Sequence, residues 1–200
     1  METNENKFFT AKNIVYLAIL TALLVVLNLL STVFKVITSV NLTLVPIVIG
    51  ALILGVRGGA ILGLISGIMT FLFGVFGTDV FTNFLFIDHP IITFFTCTVK
   101  TTAAGALSGL VYYLLKNKLK YLGTFIASAV APIVNTGIFI LGALLMSDTL
   151  TANFIADGTT VIYFLVVTCA GINFLIELGV NIILAPVIYK VNDIITNRIK

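Results

Sequence analysis

The sequence predicts an all-α membrane protein with six transmembrane helices and both termini in the cytoplasm. Hydrophobic residues make up 60% of the chain and charged residues 10%, with a mean hydropathy of +1.19, whereas a soluble domain carries about 25% charged residues. The apolar residues come in blocks of the length a bilayer needs, ~20 helical residues for a ~30 Å hydrocarbon layer. The few charges gather at the ends of those blocks. A chain of 200 residues divided this way holds roughly six helices and short loops, with no room for a separate soluble domain.

Each span has its own local reason. Residues 1–11 are a polar, mixed-charge tail without a small-residue cleavage site after the first apolar run, so no removable signal peptide is expected. The membrane domain then covers 12–190, and 191–200 form a polar C-terminal tail. The first helix is expected from about Lys12 to Ile37, with a turn at Asn41 to Pro46. The second, Leu44 to Leu54, is short. It is read as a short helix, the alternatives being a start nearer Val40 or a partly re-entrant segment whose irregular backbone lines a cavity. Gly55, Arg57, Gly58 and Gly59 make a tight connection to a third helix reaching about Phe76. A polar, aromatic loop, Gly77 to His89, precedes Pro90, which suits the first turn of a helix because its missing N–H costs nothing there. That fourth helix is expected to end near Leu115. Helix five is expected over Tyr121–Met146, a polar loop over Ser147–Thr160, and helix six from about Val161 to Lys190.

Charge gives the orientation. In a six-span arrangement Lys7, Lys12, Arg57, the cluster at Lys116, Lys118 and Lys120, Lys190, Arg198 and Lys200 share one face, which the positive-inside rule makes cytoplasmic. The opposite loops carry Asp79, Asp88, Asp148 and Asp157 and one basic residue, Lys35. The net charge of +3 forms no patch interleaved with exposed aromatics, so nucleic acid is not an expected partner. Cys97 and Cys169 lie in apolar stretches and read as small hydrophobes; no disulfide framework or metal site is indicated.

Small residues mark helix contacts. Gly55, Gly59, Gly63 and Gly67 recur every fourth residue and put a glycine stripe on helix three, where another backbone can approach closely. Gly105 and Gly109 repeat the spacing on helix four. Ala18 and Ala22 form a small-xxx-small pair on helix one, for which internal packing is the default expectation.

Polar residues inside the spans are the candidate functional groups. Lys100 stands roughly ten residues into helix four, about 15 Å below the surface at ~1.5 Å per residue, and Glu177 lies within helix six. Charges at such depth cost several kcal/mol unless paired, hydrated or facing a cavity. Two readings stay open: a buried Lys100–Glu177 ion pair that orients two helices, or a ligand site. Asn135, Thr136 and Asn173 should lie at depths comparable to Lys100. Lysine can hold a carboxylate while asparagines read hydroxyls and amides, although each asparagine alone is more often interhelical glue. Asp88 and His89 suit a loop and cap role. No metalloprotease, hydrolase or P-loop motif is present, so the chain is not expected to be an enzyme or to carry a cofactor.

Beyond these readings, the chain resembles the substrate-binding S components of energy-coupling factor vitamin transporters. The resemblance rests on six spans in this length, on Ala18 and Ala22, and on the run from Asn41 to Gly55 followed by Gly58-Gly59-Ala60 and Gly63. It implies a high-affinity binding subunit of a multi-pass bacterial cell-membrane importer. It further implies that the alanine face of helix one docks on a transmembrane coupling subunit seated on two cytoplasmic ATPases, and that a vitamin binds near the outer surface under the loops. The stretch His89-Pro90-Ile91-Ile92 to Val99-Lys100 and Gly105 is similar to a branch that includes pantothenate transporters, where arginine is expected at the position of Lys100. The alternatives are a self-sufficient proton-coupled secondary carrier and a structural subunit that binds no ligand.

Overall fold

A computed structural model of the chain describes residues 8–34, 42–155 and 158–197, and every regular element among them is helical. Lys7, Lys35, Asn41, Asp157, Arg198 and Lys200 lie outside the described residues. The elements are α1 (Ala11–Phe34), α2 (Leu44–Val75), α3 (Val80–Asp88), α4 (Pro90–Leu115), α5 (Lys120–Leu144), α6 (Ser147–Asn153), α7 (Val161–Tyr163), a π-helical segment (Phe164–Gly171) and α8 (Ile172–Asn197). Within the described residues, five segments are long and apolar enough to cross a membrane: Ala11–Ser31, Leu44–Val75, Pro90–Leu115, Lys120–Leu144 and Val161–Ile195.

The expected second and third spans are the two arms of α2. Gly55 has φ 75° and ψ −168°, a left-handed conformation open to glycine without steric cost. There the chain doubles back. A Cβ built on Gly58 would lie 3.1 Å from the carbonyl oxygen of Gly50, and one on Gly59 would lie 2.7 Å from Ala51 Cβ, whereas residues eight apart in a straight helix are separated by ~12 Å. The connection expected across Gly55–Gly59 thus shrinks to a single non-helical residue. The short arm, Leu44 to Leu54, rises only about 16 Å, roughly half the hydrocarbon thickness. Its first turn is level with the middle of the long arm, where the Thr43 and Ser66 hydroxyls meet at 3.2 Å.

The long arm of α2 packs on α4 backbone to backbone. Gly59 faces the carbonyl of Gly105, Gly63 that of Thr101 and Gly67 that of Cys97, while Gly109 faces Val56, so the two helices run antiparallel. Gly55 takes no part in that contact, since a Cβ there would meet nothing within 4 Å; it turns the chain instead. Further along, Gly142 on α5 abuts Thr96 on α4, and Lys120 at the start of α5 pairs with Asp193 near the end of α8. Lys12, Arg57, Lys116, Lys118, Lys120 and Lys190 gather at one end of the bundle, and Asp79, Asp88, His89 and Asp148 at the other.

Other departures from expectation concern the loops. The stretch after Gly77 holds α3, opened by Asp79, whose side chain accepts from the Thr82 amide at 3.3 Å. Ser147–Asn153 is helical, and α8 continues past Lys190 to Asn197. Asp88 and His89 make no side-chain cap on α4. They reach across to α6 instead: Thr149 Oγ1 donates to Asp88 Oδ2 at 2.7 Å, and His89 Nε2 lies 3.0 Å from Asp148 Oδ1.

Candidate functional site

The half-length arm of α2 creates the site. Val48, Ala51 and Leu52 of that arm pack with Tyr112, Ala127, Ala131 and Ile188, and Leu44 and Ile47 pack with Leu20, Leu24, Leu62 and Ala104. The arm therefore fills the half of the bundle nearest Gly55. Above its start the described helices line a half-open cavity of about 340 Å³. Thr70, one turn beyond Ser66 and bonded to its carbonyl at 3.0 Å, already belongs to the cavity wall.

Lys100, Asn135, Thr136, Asn173 and Glu177 all line this one cavity. Lys100 is half-buried. Its position follows from the α4–α5 register: Thr96 abuts Gly142, and about one turn deeper Lys100 Nζ lies 5.1 Å from the centre of the Phe139 ring. A cation over an aromatic face is stabilised where water is scarce. Among the described residues Lys100 makes no salt bridge, and none joins it to Glu177.

The asparagines differ from each other. Asn135 is 6% exposed, and its Oδ1 is a buried acceptor with no hydrogen-bond partner among the described residues. Asn173 spends its amide donor on its own helix, bonding the Cys169 carbonyl at 3.0 Å. That carbonyl belongs to the π-helical segment, and π-turns are frequent at functional sites. The segment brings Thr168, Cys169 and Ala170 to the cavity wall. Glu177 is buried, and its backbone carbonyl accepts from Asn181 Nδ2 at 2.9 Å.

Sequence reasoning missed several wall residues. Asn28 and Ser31 on α1 line the cavity, and Ser31 Oγ is buried without a partner among the described residues. The signal was available, because an asparagine and a serine three apart in an apolar helix carry the same intramembrane polar pattern as Asn135. Asp79, Phe81 and Thr82 enter from α3. Phe81 packs on Phe139 at 6.0 Å and on Phe154, just after α6, at 5.1 Å, so α3 and the α6 end form an aromatic cover. No three metal-ligating side chains converge among the described residues.

Ala18 and Ala22 are exposed, contrary to the default of internal packing. The inner face of α1 is formed by Leu20, Leu24, Asn28 and Ser31, and its opposite face presents the two alanines among exposed Ile14, Val15, Ile19 and Val26.

Set against known proteins, residues 12–189 match the family model described as "ECF transporter, substrate-specific component". No curated protein and no solved structure matches the chain.

Proposed function

The chain belongs to the substrate-specific components of ECF transporters, and from that premise we propose that it captures a carboxylate-bearing vitamin at Lys100 for an ATP-driven importer. As a member it is a multi-pass membrane subunit that takes a small-molecule substrate and works in a complex with the ECF module, a transport role rather than an enzymatic one. The observation that carries the finer reading is the convergence of one ammonium, one amide acceptor without a partner among the described residues and four threonines on a single cavity, beside the carboxylates of Asp79 and Glu177. Lys100 would hold the carboxylate as a point charge rather than a fork, and Asn135 would accept from a hydroxyl or amide hydrogen. Pantothenate has those groups and is the substrate of choice for the test.

Counting the two arms of α2 separately would give six segments, and the positive-inside rule applied to the basic end of the bundle supports placing both termini in the cytoplasm. It would put the cavity, α3 and α6 outside, in a bacterial cytoplasmic membrane. The exposed small-residue face of α1 suits close helix contact with a transmembrane coupling subunit, which two cytoplasmic ATPases would drive. Titration calorimetry of the purified chain with pantothenate tests the substrate. Saturable binding that Lys100→Gln weakens at least tenfold is the expected result, and absence of binding to the wild type would remove pantothenate.

A further inference from the structure

The aromatic cover over the cavity is tied down by two polar contacts that join the α3–α4 corner to α6. One is the Thr149 hydroxyl on Asp88 at 2.7 Å, and the other is His89 Nε2 between the two carboxylate oxygens of Asp148 at 3.0 and 3.1 Å. They are not equivalent. The first is a neutral hydroxyl donor on a carboxylate. The second depends on the proton count of the only histidine in the chain, a residue type whose charge changes between pH 5 and 8. With His89 neutral the contact is a single hydrogen bond, and with His89 protonated it is an ion pair.

The charged group in contact with His89 is Asp148 from α6, while its chain neighbour Asp88 is engaged by Thr149; among the described residues no salt bridge joins α3, α4 or α6 to another cation here. Opening the cover separates α6 from the corner, which breaks the Asp148 contact, so the closed arrangement gains from protonation and the open one does not. Phe81 and Thr82 carry this to the site, because they line the cavity from α3 while Phe81 packs on Phe154 beyond α6.

We propose that the His89–Asp148 contact is a pH-sensitive latch on the α3–α6 cover, closing the cavity more firmly in acid than at neutral pH. The latch deepens the reading of the cavity as a binding site, and its test needs no ligand. Cys169 lines the cavity and the other thiol, Cys97, is buried against α2. Its rate of modification by N-ethylmaleimide, read by peptide mass spectrometry on the full chain in lipid nanodiscs, therefore reports cavity opening. The pH dependence of the thiol itself cancels when variant and wild type are compared at the same pH.

His89→Gln should label roughly two- to fivefold faster than wild type at pH 5.5, the range for an exposed ion pair, and at nearly the wild-type rate at pH 8.5. Asp148→Asn should behave in the same way, whereas Asp88→Asn should label faster at both pH values. A His89→Gln to wild-type ratio that does not change between pH 5.5 and 8.5 would overturn the latch, as would slower labelling of the variant in acid. Either result leaves pantothenate binding untouched, and failure to bind pantothenate leaves the labelling ratio untouched.

Discussion

Replacing Gly63 by alanine puts one methyl group into the close backbone contact between α2 and α4. A Cβ there would collide with the Thr101 carbonyl oxygen and lie 2.7 Å from its carbon and 2.8 Å from Thr102 Cα. Carbon atoms are comfortable at ~3.5–4.0 Å, so α2 and α4 have to part by about 1 Å. The contacts of Gly59 on Gly105 and Gly67 on Cys97 lie on the same line and would loosen with it. Overpacking of this kind costs ~1–3 kcal/mol, offset in part by the ~0.5–1 kcal/mol that alanine gains over glycine in a helix. The net loss, about 1–2 kcal/mol, corresponds to a Tm lower by ~2–8 °C for a chain of this size. The sign should reverse at Gly137 and Gly179, where a Cβ meets nothing within 4 Å and only the helix gain remains. With no tryptophan in the chain, a thiol-reactive dye is the suitable reporter. Cys97, whose carbonyl faces Gly67, reads the same interface as it unfolds. Equal Tm values for Gly63→Ala and Gly137→Ala would refute the reasoning.

Other outcomes follow from the same geometry. Asn135→Leu removes a buried acceptor that has no partner among the described residues, so thermal stability should hold or rise by about 1 kcal/mol while pantothenate affinity falls more than tenfold; a parallel loss of both would mean that Asn135 is structural. Ala18→Leu should leave stability and ligand binding unchanged, because the residue is exposed, yet abolish copurification with the coupling subunit; undiminished copurification would exclude that face. Asp148 is held below the usual carboxylate range mainly by the Thr149 backbone N–H and further by His89. Its contribution is complete above the ordinary carboxylate pKa of ~3.9 and is lost as pH falls through the depressed value. In an NMR titration, His89→Gln should move the Asp148 midpoint only part of the way up, since the Thr149 contribution remains.

The parts of this architecture that sequence reveals are those with a local chemical cause. Pro90 marks the start of α4, and the run of lysines after Leu115 marks its end. The glycine spacing points to a close helix face, although it cannot tell that Gly55 bends the chain while Gly59, Gly63 and Gly67 touch α4. Lys100, Asn135 and Glu177 stand out because polar groups are costly in lipid. What stays hidden depends on tertiary geometry. Nothing in Phe164–Gly171 signals a π-helical segment. The short helices α3 and α6 are too brief for a periodicity to separate from a loop. The cavity itself follows from an arm of α2 that begins at mid-depth, a fact visible only once Thr43 is found beside Ser66.

Native mass spectrometry of the chain purified from its own membrane, beside Lys100→Gln prepared identically, asks whether Lys100 holds a carboxylate ligand. A bound small molecule that carries a carboxylate should be present in the wild type and absent from the variant, whose fold persists. The same molecule retained at full occupancy in Lys100→Gln would contradict that role of Lys100.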